Sequence, residues 1–298
     1  MTEMPLVSVC VVTYQHKAFI RECLDGILMQ KTTFPFEIIL GEDESTDGTR
    51  EICKEYAEKY PDKIRLFLRS RKDVIYINQH PTGRYNFIEN LKAARGKYIA
   101  FCEGDDYWKD ERKLQKQVDF LEASPAYSLC FHNYVLRNEK ESTETIKFSP
   151  GEIEKTDFVT EDVLGAWFIA TASVVFRREN LVLPEWFINV ESGDVALLLL
   201  LSLKGPFKYL DEVMCVYRVH PSGIAQLHIG YRKVIAMAYL YQTFNIYTNY
   251  AYNEKVIDAL KFEMHYHIIN DEVRRRVEKK LNGRKKNIKG ILSRLGLK

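Results

Sequence analysis

The sequence of 298 residues predicts an α/β protein built on a doubly wound sheet. Strand-like and helix-like segments alternate through its first third. The strand-like segments are continuous apolar runs, which is typical of parallel strands that are covered on both faces. Ligands of such sheets bind in the crevice beyond the carboxyl ends of the strands, so we expect the functional residues just after each strand.

The series begins with a strand, a helix, a strand and a second helix. The β-branched run 7–13 predicts the first strand, and the apolar run 36–40 predicts the second. Apolar residues recur every three or four positions through residues 20–28, which predicts a helix with one buried face. Ser and Asp residues in segment 41–49 can cap the next helix, which we expect over residues 52–60.

The alternation then continues towards the middle of the chain. We expect strands at residues 64–68 and 98–102, and helices near residues 86–95 and 114–121. From residue 229 onward the pattern is helical and rich in tyrosine, which predicts a C-terminal helical extension. Further apolar segments that can extend the sheet or pair beside it span residues 127–131, 171–176 and 207–210.

The composition is that of an ordinary soluble globular protein, with 46% hydrophobic and 28% charged residues. The first residues lack the basic and apolar pattern of a signal peptide. The longest apolar run, residues 195–203, is far shorter than the roughly 20 residues that span a bilayer. Six widely spaced cysteines without a CxxC motif indicate buried free thiols, so we expect a cytoplasmic protein in a reducing compartment.

Charge is distributed unevenly along the chain. Residues 271–298 hold eleven Lys or Arg and three Asp or Glu, whereas the other 270 residues hold 32 basic and 38 acidic side chains. We call residues 271–298 the basic tail. The tail contains no aromatic residue that could stack on bases and the rest of the chain is acidic, so we expect no nucleic-acid partner.

Polar and acidic side chains follow three of the predicted strands. Thr13 and Tyr14 end the first strand, Glu42 and Asp43 follow the second, and the segment 103–106 follows the strand at 98–102. Any one cluster alone could be a helix or turn cap. Three of them at one edge of a sheet crowd carboxylates together, and a divalent cation such as Mg²⁺ or Mn²⁺, which binds carboxylates and a diphosphate at the same time, would balance that charge.

Three segments resemble the family 2 glycosyltransferases in order and spacing. They read VSVCVVTY at residues 7–14, EDESTDGT at residues 42–49 and ARGKYIAFCEGDD at residues 94–106. The resemblance covers roughly residues 5–125. It implies a GT-A fold, which is a Rossmann-like doubly wound mixed sheet with helices on both faces. It also implies that the substrate is a nucleotide diphosphate sugar, most often a UDP-sugar.

The resemblance implies the residues that hold the donor. Thr13, Tyr14 and Asp43 would contact the uridine or other base, and Glu42 stands beside them. Arg95, within the third segment, is grouped with these donor contacts. The family more often has Asp where this chain has Glu42 and Glu103, so the geometry around the base and the ribose is expected to differ.

The third segment and a later strand would supply the metal and phosphate ligands. By resemblance, Glu103 would lie near the ribose and Asp105 would coordinate Mn²⁺ or Mg²⁺. Arg218 and His220 alternate along a strand-like run and so share a face, where both could meet a diphosphate, or His220 the metal. An ordinary structural histidine is the alternative for His220.

The second half of the chain would supply the acceptor side. Asp194 opens an apolar helix where the family has its acidic general base, and a helix N-terminus stabilises and orients a carboxylate. The alternative is a simple helix cap. His132 could touch the acceptor or be an ordinary surface histidine, and Trp108 could wall the sugar pocket or belong to the core.

These features predict an inverting glycosyltransferase, with Asp194 as the base. We expect a GT-A domain over residues 1–225, with a nucleotide-sugar half at 1–125 and an acceptor half at 126–225. Residues 226–298 would form a helical C-terminal region that includes the basic tail. The product is expected to be a cell-surface glycan or polysaccharide.

Other functions are less consistent with the sequence. No glycine follows the first strand, so a dinucleotide-binding turn and a phosphate-binding Walker loop are both missing, and a nucleotidyltransferase would need a similar loop. The main alternative is a non-catalytic protein of this fold that binds a nucleotide sugar or glycan.

The tail also suggests a location. Ile288, Ile291, Leu292 and Leu295 form an apolar stripe among basic residues, which is typical of helices that lie on membranes. A solvated helix is the alternative. We therefore expect peripheral contact with the anionic inner face of the membrane, where a lipid-linked glycan acceptor would be found.

Overall fold

The computed structural model describes residues 4–149, 152–165, 168–221, 223 and 231–269. The chain divides into two compact units, Met1–Gly223 and Ile224–Lys298. The basic tail lies outside the described residues.

The first unit contains a large sheet and the helices that cover it. Its strands are β1 Val7–Thr13, β2 Phe36–Glu42, β3 Ile64–Leu68, β4 Tyr76–Ile77, β5 His80–Pro81, β6 Tyr98–Phe101, β7 Tyr107–Trp108, β8 Leu129–Asn138, β9 Thr143–Ile146, β10 Asp157–Phe158, β11 Val175–Arg177 and β12 Phe207–Val219. Its helices are α1 Ile20–Leu28, α2 Thr49–Lys59, α3 Arg84–Ala93, α4 Lys113–Ala123, α5 Thr160–Val163 and α6 Gly193–Ser202.

The strands form a mixed sheet in the order β10-β12-β8-β11-β6-β1-β2-β3. Strands β6, β1, β2 and β3 are parallel, and β11 runs antiparallel between β6 and β8. Strand β12 is parallel to β8. The non-sequential order requires crossovers, and helices provide them, so the predicted mixed α/β fold is confirmed.

The parallel strands are buried because helices cover the sheet. Val9 and Ile38 are completely buried, and so is Leu24 on the apolar face of α1. Each such side chain contributes roughly 1.5–3 kcal/mol when it leaves water. Helix α6 is apolar almost all round and correspondingly buried.

Two predicted segments differ from the structure. The run expected at 207–210 is the start of the long strand β12, whose irregular pairing after Leu210 breaks the apolar pattern. The run expected at 171–176 divides into a 3-10 turn at Thr171–Ser173 and the short strand β11. Local bulges and turns therefore hid the true lengths of these elements.

The second unit contains α7 Tyr231–Tyr247 and α8 Asn253–Met264, so the C-terminal helices are confirmed. Leu240 and Phe244 of α7 and Val256 of α8 are buried. In the described part of the chain, no helix is both long and apolar enough to cross a bilayer. The six cysteines are free and buried, as expected.

Candidate active site

The carboxyl ends of β1, β2 and β6 lie at one edge of the sheet. Because β1 is parallel to both neighbours, the residues that follow the three strands lie side by side. The backbone N–H of Asp43 donates to the carbonyl oxygen of Thr13 (3.1 Å), and that of Gly104 donates to Val12 (2.9 Å). Both acidic segments are therefore fixed to the end of β1.

Asp105 faces two histidines at this edge. Its Oδ2 lies 3.1 Å from Nε2 of His220, just after β12, and 3.7 Å from Nε2 of His16. Burial by itself would raise the pKa of Asp105, but the hydrogen bond with His220 and the charge interactions with both imidazoles outweigh burial and hold the pKa below its ordinary value. Asp105 is therefore available as a carboxylate.

His16 lies against Gly104, which belongs to the acidic segment 103–106 after β6. A Cβ added to Gly104 would come within 2.6 Å of Thr13 Oγ1 and 2.8 Å of His16 Nδ1, so only glycine permits this approach. Both polar atoms are buried without a hydrogen-bond partner among the described residues. Burial lowers the pKa of His16, although the negative charge of Asp105 acts to raise it. Sequence reasoning missed His16, although its position three residues after β1 was a usable signal.

The described residues contain no group of three His, Cys, Asp or Glu side chains arranged to hold a metal ion. The donors around Asp105 nevertheless suit Mn²⁺ or Mg²⁺, because these ions take carboxylate oxygens and complete their coordination with phosphates and water. His16 adds a further nitrogen, since its Nε2 lies 3.7 Å from the same carboxylate, and its Nδ1 is buried without a hydrogen-bond partner among the described residues. Asp105 and His220 are the residues that would hold the ion.

Arg218 is enclosed and does not offer a free guanidinium to the crevice. Its Nη1 donates to the backbone carbonyl oxygen of Asp105 (2.6 Å), and its Nε donates to Glu139 (3.0 Å). Its Nη2 donates to Glu22 of α1, and only 5% of the residue is exposed. The expected diphosphate contact of Arg218 is therefore corrected: the side chain positions the acidic segment.

Asp106 and Glu103 are crowded carboxylates on either side of Asp105. Asp106 Oδ1 accepts from the backbone N–H of Arg218 (2.8 Å), while its buried Oδ2 has no partner in the described part of the chain. Burial raises the pKa of Asp106 well above its ordinary value, and the charges of Asp105 and Glu103 add to this effect. Burial, Asp105 and then Asp194 raise the pKa of Glu103 in the same way.

Asp194 lies in the first turn of α6. Its charge adds to burial in raising the pKa of Glu103. The residue before it, Gly193, has no room for a side chain, since a Cβ would lie 1.5 Å from Nη1 of Arg84. Arg84 Nη2 in turn donates to the carbonyl oxygen of Val190 (2.7 Å). The buried guanidinium thus fixes the start of α6, where Asp194 lies.

Asp43 is the centre of a polar group at the end of β2. Its Oδ2 accepts from Arg71 Nη1 (2.6 Å), and the same guanidinium lies 4.4 Å from the ring centre of Tyr14. Tyr14 is 40% exposed. Burial raises the pKa of Asp43 although Arg71 opposes this. Arg71 was missed from the sequence, because it lies in the irregular segment after β3.

Glu42 lies beneath this surface and is fully buried. Its Oε1 accepts from the backbone N–H of Ser45 (2.7 Å), and its Oε2 accepts from Arg50. The longer side chain thus reaches back into its own loop. The expected direct contact of Glu42 with the nucleoside is corrected to support of the loop that follows β2.

Three further candidates lie away from the crevice. Arg95 is at the amino ends of the strands, where it pairs with Glu37 (2.6 Å), so it is not brought to the donor side. Trp108 is 1% exposed and its Nε1 donates to Ala172 (2.9 Å), so it belongs to the core and offers no sugar platform. His132 is buried in β8, and burial lowers its pKa well below the ordinary value, so it is neither a surface nor an acceptor-contacting histidine.

Comparison with known proteins agrees with this architecture. The model of the family described as glycosyl transferase family 2 matches residues 8–181. An uncharacterized protein of Mycobacterium tuberculosis is 36% identical over 225 residues, which are 73% of this chain and 60% of that protein. The match therefore spans less than two thirds of the mycobacterial protein's length.

A relative with a stated activity is the UDP-Glc:alpha-D-GlcNAc-diphosphoundecaprenol beta-1,3-glucosyltransferase WfaP of Escherichia coli. It is 30% identical over 74% of this chain and 80% of its own length. Among solved structures, a mannosyltransferase of Pyrobaculum calidifontis in complex with GDP-Man and Mn²⁺ has a TM-score of 0.59 at 18% identity, covering 89% of this chain and 70% of that one. The fold is therefore that of the GT-A glycosyltransferases.

Within that class, the family match settles the assignment further. It covers more than half of the chain and includes β1, β2, β6 and the acidic segment at their ends. The chain belongs to glycosyl transferase family 2.

Proposed function

We propose that the chain is an inverting, metal-dependent glycosyltransferase that moves a sugar from a nucleotide diphosphate sugar to an acceptor hydroxyl. The observation that carries the proposal is a carboxylate beside two histidines at the carboxyl edge of the sheet, together with a second carboxylate whose charge acts on the same acidic segment. Asp105 lies beside His220 and His16, and Asp194 lies close enough to act on the ionisation of Glu103.

Asp194 is proposed to accept the proton of the acceptor hydroxyl while that oxygen attacks the anomeric carbon. The attack occurs on the face opposite the departing nucleotide diphosphate, so a single displacement inverts the anomeric centre. Asp194 lies in the N-terminal turn of α6, and the N-terminus of a helix favours negative charge. The packing of Gly193 on Arg84 fixes the start of that helix.

Asp105 and His220 are proposed to hold Mn²⁺ or Mg²⁺ against the diphosphate. When bound, such an ion neutralises charge on the leaving group as a Lewis acid. Arg218 supports this arrangement from behind, since it holds the backbone of Asp105 and the carboxylate of Asp106 at the same time. Glu103 is proposed to meet the ribose of the donor.

The donor is proposed to be a UDP-sugar. Tyr14, Asp43 and Arg71 form a partly exposed group in which a ring, a carboxylate and a guanidinium can contact a base, and Thr13 lies beside them. The Escherichia coli relative is named for UDP-Glc, whereas the Pyrobaculum structure contains GDP-Man, so the base has to be tested directly.

The acceptor is proposed to be a glycan or lipid-linked glycan of a cell-surface polysaccharide. The name of the Escherichia coli relative includes a diphosphoundecaprenol-linked acceptor. We further propose the donor half at residues 1–125, the acceptor half at 126–225, and a cytoplasmic location in which the basic tail contacts the inner face of the membrane.

The test is a thermal-shift panel of UDP, GDP and other nucleotide sugars with Mn²⁺ or Mg²⁺, followed by product analysis. A donor raises the melting temperature because it binds only the folded state. Release of a nucleoside diphosphate with an inverted glycosidic product would support the proposal. Release of pyrophosphate would indicate a nucleotidyltransferase, and binding of a donor without transfer to any acceptor would indicate a non-catalytic binding protein.

A further inference from the structure

Large apolar side chains are unusually exposed on the two C-terminal helices. Of the 19 large hydrophobic residues that are exposed in the described part of the chain, ten lie within residues 231–269. Concentrated apolar exposure of this kind marks an interaction surface, whereas single exposed residues do not. Within the described residues, the second unit therefore has the surface most typical of an interaction site.

On helix α7 most of the exposed apolar side chains lie on one face. Tyr231, Ile235, Tyr239 and Ile246 are spaced so that they share a face, and each is between 51% and 67% exposed. The opposite side of α7 is buried, with Met237, Leu240 and Phe244 among its residues. We call the four exposed residues the α7 face. It contains two tyrosines and two isoleucines and no charged side chain.

The charges of helix α7 itself are basic, whereas those of the neighbouring helix α8 are of both signs. Helix α7 contains Arg232 and Lys233 in its first turn and no Asp or Glu along its length. In the same unit, the chain continues into the basic tail with its eleven Lys or Arg and three Asp or Glu. An apolar, tyrosine-containing stripe with basic residues around it is the pattern of a helix that lies in a membrane interface.

We propose that the α7 face docks on an anionic lipid surface. The tyrosine rings have an apolar body and a polar hydroxyl, which suits the level of the headgroups, and the isoleucines insert beside them. The basic tail attracts the surface at longer range, and the α7 face supplies a short-range apolar contact in addition to the apolar stripe of the tail. This docking is independent of the proposed transfer reaction.

Charge favours lipid over a second copy of the chain. Two copies joined through their α7 faces would bring two strongly basic tails into one particle, and like charges oppose that association. An anionic lipid surface instead balances the same charges. The single occupant that suits both the apolar face and the tail is therefore a membrane with acidic headgroups.

The experiment is co-sedimentation of the full-length chain with vesicles of phosphatidylcholine alone and of phosphatidylcholine mixed with phosphatidylglycerol. The test variant carries Tyr231→Ser, Ile235→Ser and Tyr239→Ser. The matched control carries Ile146→Ser, Val182→Ser and Ile188→Ser, which remove exposed apolar side chains from the first unit. Melting temperature and donor binding confirm that each variant is folded.

The wild type and the control are expected to bind the phosphatidylglycerol vesicles equally, and the test variant is expected to bind about tenfold less. Raising the salt concentration should weaken binding without abolishing it, since the apolar contact is not screened. Equal binding by the test variant and the wild type would overturn the proposal and assign binding to the tail alone. Light scattering provides the other decisive result: a wild-type dimer that the three serines convert to a monomer, with no vesicle binding, would show that the α7 face binds a second copy.

Discussion

Buried carboxylates have opposite environments at the amino edge and at the carboxyl edge of the parallel strands. At the amino edge, Glu37 accepts hydrogen bonds from Ser8 (2.7 Å), from Arg65 (3.0 Å) and from the backbone and side chain of Arg95. Burial would raise the pKa of Glu37, but these donors outweigh burial and lower it. This carboxylate is fully provided with partners, as buried charges in stable structures are.

At the carboxyl edge, carboxylates are close together and incompletely paired. Burial and neighbouring charge raise the pKa of Asp106 and of Glu103, and Asp106 keeps a buried oxygen without a partner among the described residues. Such crowding costs folding free energy and is typical of sites that bind a cationic group. The difference teaches that the amino edge stabilises the fold, whereas the carboxyl edge is built for a ligand.

The largest expected effect comes from removing the central charge of the crowded edge. Asp105→Asn should lower transfer by about 10³-fold, because the residue that would hold the metal is lost. The fold should remain, with a melting temperature close to that of the wild type, since the substitution removes a charge from a crowded site. Steady-state kinetics and thermal unfolding measure the two quantities.

Two controls accompany this substitution. Chelation of divalent ions should reduce wild-type activity in the same way, and Asp62→Asn, at an exposed carboxylate, should change neither quantity. Near-normal turnover in Asp105→Asn would remove this residue from the metal site and weaken the contrast between the two edges.

The next effect tests Asp194, the proposed general base, whose charge acts on Glu103 of the crowded edge. Asp194→Asn should lower kcat by about 10²-fold or more while the KM for the donor changes little, because a general base acts on the acceptor and not on donor binding. Glu185→Gln, at an exposed carboxylate in the same half of the chain, is the control. A raised donor KM with unchanged kcat would instead place Asp194 on the nucleotide side.

The sequence predicted the contrast between the edges only in part. Strand direction was legible from the apolar runs, so the positions of Thr13, Asp43 and Asp105 at the carboxyl edge followed from it. Arg95 precedes β6, and the same rule, applied consistently, places it at the amino edge. The expected donor contact of Arg95 was wrong because it was taken from the segment 94–106 as a whole, although β6 separates Arg95 from Asp105.

Other features depended on contacts that local patterns do not contain. Arg218 is occupied by Glu22, which lies 196 residues away in sequence, and by Glu139, which lies 79 residues away. No periodicity reports such pairs, so a surface cation and an enclosed one look alike in sequence. Arg71 was hidden for a similar reason, since its meeting with Asp43 depends on the irregular chain after β3.

The amino edge should respond in stability and not in catalysis. Glu37→Gln should lower the free energy of unfolding by about 2 kcal/mol. This is less than the usual cost of breaking a buried ion pair, because Arg65 and Arg95 are partly exposed to solvent. Activity per folded molecule should be unchanged. Denaturant titration and kinetics below the unfolding transition measure both. Glu55→Gln removes an exposed pair with Arg21 and should show no measurable loss, so equal losses in the two variants would contradict a special role for the amino edge.

The smallest expected effect is the pH dependence of that same contribution. The pKa of Glu37 is lower in the folded chain than in the unfolded chain, so the unfolded state binds more protons in the window between the two values. The stability that Glu37 contributes is thus fully present above the unfolded pKa of about 4.3 and is lost as the pH falls through the folded value. Glu37→Gln lacks this titration, and the difference in unfolding free energy between wild type and variant should therefore be constant near neutral pH and shrink on acidification below about pH 4. Denaturant titrations of both proteins across this range measure the difference directly. A gap that widens on acidification would mean that Glu37 is protonated more readily in the fold than outside it, and the amino edge would then resemble the crowded carboxyl edge.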